Sequence, residues 1–371
     1  MKIQKFFQPR YLYILLFAVF IILSVIRSQT ALQGAADIIL LWAKAVLPAL
    51  LPFMIASQAL LLLGCAPSLG KALRPFMNLL GMPAVGGYAL AMSLICGYPT
   101  GARMCGELYN QKYISRAQLK PLSVLCHSSG PVFITGSVAA SILGKPDLGL
   151  PLLIIHYLAC LLAGSLYGLF FQSADKGQTF NGEPPLTSIG EIMRASILSS
   201  IKAILSVGGY MLLFGVIIAL ADDFGLLKGF AGGLAAGIME MTNGISRLSA
   251  LGLPIEKLIP LCSLLLSFSG LSICMQALAF LPKEISPLFF IGARAVTACA
   301  AYLLSKLYIA CASLLPPLAA AAGASDVYKR QGRSGGRNNS MRSYKTKSYF
   351  SNWSRDCFTC SAYLSRYFSN S

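Results

Sequence analysis

Glu240 stands in Gly237-Ile-Met-Glu-Met-Thr-Asn-Gly244, well inside an apolar stretch. A charged side chain at the centre of a bilayer costs about 2.5–3.5 kcal/mol, so such a residue faces a cavity or a partner. One reading is proton or substrate coupling, with Glu240 exchanging a proton inside a cavity. The other is structural: an ion pair with Arg294 or Lys44, or an interfacial position. Thr242 and Asn243 add neutral polar groups beside it. A second cluster runs Gly97, Tyr98, Pro99, Thr100, Gly101, Ala102, Arg103. It combines a helix stop, a proline of fixed φ and two glycines. A helix restarting at Thr100 or Gly101 would aim free N–H groups and a positive dipole end at the break. Arg103 adds a planar fork of donors suited to a carboxylate. The cluster is an anion site, or a tight turn whose Arg103 follows the basic bias of cytoplasmic loops.

A third cluster is His127, Ser128, Ser129, Gly130, Pro131, where the two serines stand ready to cap a half-helix opening at Val132. Ser267, Ser269, Gly270 and Ser272 repeat that arrangement later in the chain. The structural alternative for both is packing by small residues. His127 is a titratable group or a hydrogen-bonded one.

These clusters form two imperfect copies of one pattern. In each, a polar, Gly-containing break is followed by a Ser-Gly break, 29 residues on from Gly101 to Gly130 and 26 on from Gly244 to Gly270. A duplicated pair of interrupted apolar segments points to the binding site of a secondary transporter. Broken backbone is tolerated in hydrocarbon only where protein or a water-filled cavity receives its free N–H and C=O groups. Tyr98, Pro99, Thr100, Gly101, Arg103, Ser128, Ser129, Gly130, Glu240, Thr242, Asn243, Ser269 and Gly270 are therefore expected to meet around a solute.

The elements that must position them are membrane helices. The 371 residues are 56% hydrophobic and 12% charged, with a mean hydropathy of +0.68. A spanning helix needs about 20 mostly apolar residues. Such runs lie near 11–26, 38–63, 118–143, 148–171, 203–220, 258–281 and 287–315, while 76–98 and 229–245 read as re-entrant or broken spans. The fold expected is an all-α polytopic membrane protein with an inverted repeat of broken helical hairpins. Residues 1–171 form the first half and 172–202 a linker with an amphipathic helix opened by the capping box Ser188-Ile-Gly-Glu191. Residues 203–317 form the second half and 318–371 a disordered tail. Lys2, Lys5 and Arg10 place the N-terminus in the cytoplasm, and the first helix reads as an uncleaved anchor. Lys71 and Arg74 read as a basic loop, and the odd span 203–220 would invert the second copy.

The net charge of +17 overstates the body of the protein. From Asp326 the chain is polar and aperiodic, and Asp326-Val-Tyr-Lys-Arg-Gln331 resembles a translated sequencing adapter, so 326–371 reads as non-native. Without that stretch 21 basic and 11 acidic residues remain, a net charge of +10. That suits basic loops at a membrane and gives no reason to invoke nucleic acid. Nine cysteines outside the tail show neither a CxxC pair nor a zinc pattern. There is no phosphate-binding loop, metal motif or nucleophile triad. The expectation is a carrier rather than an enzyme, with no cofactor. Its partners are the lipid bilayer and a small anionic solute, with self-association left open.

Leu47-Pro-x-x-x-Pro52, Arg74-Pro75, Gly97-Tyr-Pro-x-Gly-Ala-Arg103, Ser129-Gly-Pro-Val-Phe-Ile134 and Glu240-Met-Thr-x-Gly244 together resemble the sporulation integral membrane protein family of endospore formers, the YlbJ type. The resemblance spans about residues 11–315. It implies membership of the Gate-domain group, with concentrative nucleoside transporters and the ferrous-iron permease. It also implies movement of dipicolinate, a small aromatic dicarboxylate, across the outer forespore membrane. Where that family carries an Asn/Ser-rich run, this chain has Cys126-His-Ser-Ser-Gly-Pro-Val. A Gate-type carrier of nucleosides or other small solutes, and a non-transporting sporulation scaffold, are the alternative readings.

Overall fold

A computed structural model describes residues 9–171 and 188–314, all of whose regular structure is helical. The linker 172–186, the N-terminal lysines and the tail expected from 318 lie outside the described residues. Among the described residues, four helices are long and apolar enough to cross a membrane, or up to six if two sharply bent pairs each count as one span.

The chain opens with α1 (Pro9–Ile26) and α2 (Ser28–Leu41), bent against each other by 103°. A π-helical turn at Trp42–Val46 leads into α3 (Leu47–Leu62), which carries Pro52 inside it. Pro48 and Pro52 remove two backbone donors, which fits a wider turn at this point. Next comes α4 (Cys65–Leu79), bent by 91° from α3. Lys71 and Arg74 are exposed on this amphipathic helix, not in the loop their charge suggested.

The first copy then unfolds as α5 (Gly87–Cys96), a break, α6 (Thr100–Asn110), α7 (Arg116–Leu125), a second break, a π-helical segment at Phe133–Ile142 and α8 (Gly149–Phe170). The run 118–143 is thus two helical pieces divided at 126–130. The connector α9 (Ile189–Asp223) is one helix of 35 residues. At 1.5 Å per residue it is about 52 Å long, more than the thickness of a bilayer's hydrocarbon. The amphipathic stretch to 202 and the apolar run from 203 share it without interruption. Its capping box is formed: Ser188 N donates to Glu191 Oε2 at 3.1 Å and Glu191 N to Ser188 Oγ at 3.3 Å.

The second copy follows the same order: α10 (Gly229–Met239), a break at Glu240, α11 (Met241–Ala250), α12 (Ile255–Phe268), a break at Ser269, α13 (Gly270–Phe280) and α14 (Pro287–Leu314). The two copies share their cores. One buried cluster joins Leu108, Leu119 and Leu122 of α6 and α7 to Cys274 and Ala277 of α13 and Phe290 of α14. A second joins Ile134 and Val138 of the π-helical segment to Ile245 and Leu248 of α11 and Leu265 of α12. Each copy therefore lends the helix after its second break to the core of the other.

Candidate functional site

Within each copy the two breaks meet tip to tip. Gly97 has φ +76°, and a Cβ there would collide with the backbone nitrogen of Gly130. Only glycine gives both that conformation and that approach. In the second copy Gly270 has φ +78°, and a Cβ there would stand 3.0 Å from the Met241 nitrogen and 3.1 Å from Glu240 Cα. Gly101 seats the first turn of α6 against the Cys126 carbonyl and Ser93. Thr100 is fully buried beside it, and its Oγ1 has no hydrogen-bond partner. Pro99, which follows a cis peptide bond, closes that turn by accepting from Arg103 N at 3.1 Å.

Side chains then join one copy to the other. His127 Nε2 lies 3.1 Å from Ser269 Oγ. The Tyr98 ring stacks on the His127 ring with centroids 5.2 Å apart, and the Tyr98 hydroxyl donates to Met241 Sδ at 3.0 Å. Phe290 meets His127 edge-on at 5.1 Å. From α8, His156 Nε2 accepts from Ser129 N at 2.9 Å, and its Nδ1 lies 2.9 Å from Ser267 Oγ. An Nε2 that accepts from an amide places the ring proton on Nδ1, so His156 is neutral here and donates to Ser267. All four breaks thus converge on one junction, where His127, His156, Ser128, Ser267 and Ser269 are fully buried.

The serines bridge breaks; they do not cap helices. Ser128 Oγ lies 2.9 Å from Ser93 Oγ, and neither Ser128 nor Ser129 caps the segment after Val132. Ser269, in the left-handed region at φ +71°, turns its hydroxyl to His127 and leaves α13 without a side-chain cap.

Glu240 makes contacts that neither expectation included. It caps α11. Oε1 accepts from Thr242 N at 3.0 Å and Thr242 Oγ1 at 2.8 Å, and Oε2 from Asn243 N at 2.9 Å and Asn243 Nδ2 at 3.0 Å. Glu240, Thr242 and Asn243 form one local unit at the N-terminus of α11, where a negative charge meets the helix dipole. The ion pairs among the described residues are Arg27–Asp223 and Arg247–Asp222, so Glu240 pairs with neither Arg294 nor Lys44.

Arg103 does not join the junction. Its guanidinium donates to Met54 O at 3.3 Å and Gln58 Oε1 at 3.1 Å on α3, and to Ser199 Oγ at 2.9 Å and Ser200 Oγ at 3.2 Å on α9. One turn into α6 the helix has rotated its side chain away from the break.

The arginine at the junction is Arg294. It is fully buried, donates through Nη1 to Val124 O at 3.4 Å and through Nη2 to Ser267 O, and lies beside Cys160. Its Nε has no hydrogen-bond partner, and among the described residues no carboxylate lies within ion-pair distance. His127 Nδ1, fully buried nearby, also lacks a partner. Arg294 and His156 carry the signal that singled out Glu240, a polar group inside an apolar run. Their surroundings form no motif with the breaks in the linear sequence.

No family model matches the chain, and no solved structure matches it. The chain is 28% identical over 304 residues to the sporulation integral membrane protein YlbJ of Bacillus subtilis (strain 168), covering 72% of this chain and 74% of that protein. The chain is thus a multi-pass membrane protein that is similar in sequence to that sporulation protein.

Proposed function

We propose that the protein carries a small organic anion across the membrane, and that the anion binds where the four breaks meet. The observation that carries this reading is Arg294. A buried cation without a carboxylate is costly unless something else neutralises it. Here the unpartnered Arg294 Nε and His127 Nδ1 belong to the same enclosed junction, beside neutral serine hydroxyls. A carboxylate entering there gains charge-assisted hydrogen bonds and relieves the uncompensated charge. The broken helices serve the same end, because they bring irregular backbone and helix ends to one place.

The chemical class of the solute follows from the resemblance together with Arg294: a small aromatic dicarboxylate of the dipicolinate kind, moved during sporulation. The Tyr98–His127 stack offers an aromatic wall for such a ring. The Gate-type relationship belongs to this proposal. Flux of radiolabelled dipicolinate into proteoliposomes holding the full chain tests it. Saturable uptake that unlabelled dipicolinate competes and uridine does not is the expected result. Competition by uridine alone would make the protein a nucleoside carrier, and absence of any flux would favour a scaffold.

A further inference from the structure

Arg103, which the junction does not use, lies at the floor of a polar groove. Arg103, Glu107 and Asn110 fall at i, i+4 and i+7 and so share one face of α6. Lys202 and Ser206 present a matching stripe from α9, and Phe280 at the end of α13 closes the space. The cavity measures about 350 Å³, and α6 rises about 10 Å between Arg103 and Asn110. That is room for a single ring with its substituents. At the outer end, Lys112 and Arg116 are exposed where α6 passes to α7.

The groove has a charge imbalance. Arg103 is 3% exposed, and four neutral acceptors fix its guanidinium without neutralising it. Among the described residues, neither Arg103 nor Lys202 pairs with Glu107 or any other carboxylate within 4 Å. Two cations face one anion between low-dielectric walls, an arrangement that concentrates anions.

We infer that this groove is a second anion site: it binds a small carboxylate and acts as the vestibule from which the solute passes to the break, one helical turn beyond Arg103. Its role as a vestibule rests on the transport reading; its binding of a carboxylate does not.

The test is the reactivity of Ser206→Cys in the full chain in detergent, scored as the increment over the parent protein with its own cysteines. The probes are two methanethiosulfonates, one carrying an ethylsulfonate and one an ethyltrimethylammonium group. The anionic reagent should react about tenfold faster than the cationic one. Lys202→Gln should shrink that ratio to a few-fold, and dipicolinate should slow the anionic reaction. Asn110→Cys at the groove mouth serves as a second reporter should Ser206→Cys fold poorly. Two unreactive reporters, equal rates for the two reagents, or no slowing by dipicolinate would each overturn the inference. The same labelling in an Arg294→Gln background separates the two ideas. Protection that persists there while transport fails keeps the groove whatever becomes of the junction. Protection absent in a chain that still transports removes the groove alone.

Discussion

His127 Nε2 and Ser269 Oγ lie 3.1 Å apart, and this contact ties the second break of one copy to the second break of the other. The residues are 142 positions apart. Tyr98 stacked on His127 and bonded to Met241 adds the two remaining breaks to the same contact. The junction is therefore a joint between copies, and a change on either side should be felt on both.

Gly97→Ala should be far worse than Gly136→Ala. The first puts a Cβ at positive φ, costing about 1–2 kcal/mol, and drives it into the Gly130 backbone. The second meets nothing within 4 Å and should be neutral. Thermal unfolding of the two purified proteins, read by the melting of helical circular dichroism, checks this. Equal melting would mean that the breaks do not touch as described.

Glu240→Ala should destabilise the protein by about 1 kcal/mol through loss of the α11 cap. Glu240→Gln keeps a side-chain acceptor and should recover part of that. If the residue only caps, the pH profile of uptake will be unchanged in Glu240→Gln. If it also couples protons, that profile will flatten while binding persists. Unchanged stability in Glu240→Ala would contradict the capping geometry.

We propose that the two copies are inverted; Arg116→Cys and Glu256→Cys, both at exposed positions, should then react with an impermeant thiol reagent from opposite faces of sealed vesicles. Labelling of both from one face would refute it.

Much of this architecture was readable from residue order. The four breaks announced themselves through glycine, proline and serine in apolar surroundings, and the Ser188–Glu191 capping box is present as its spacing implies. That the breaks meet was expected from the duplication. Which arginine meets them was not. Arg103 follows a break in sequence, but three further residues of helix turn it toward Gln58 and Ser199. Arg294 lies 24 residues beyond Gly270 in sequence and reaches the junction only because α14 packs along α12 and α8. Periodicity cannot reveal that packing. Nor could hydropathy show that 189–202 and 203–220 are one helix, because an amphipathic stretch and an apolar run differ in composition, not in backbone.

The most direct measurement is dipicolinate binding and flux in Arg294→Gln, with Arg294→Lys and Arg103→Gln alongside and each protein checked for a native melting profile. Loss of a charge-assisted contact is worth about 1.5–3 kcal/mol, or roughly ten- to hundredfold in affinity. Arg294→Gln should lose that much for dipicolinate, Arg294→Lys should recover part of it, and Arg103→Gln should lose less than Arg294→Gln. A folded Arg294→Gln protein that binds and moves dipicolinate as the parent does would contradict the assignment of the anion site to the four breaks.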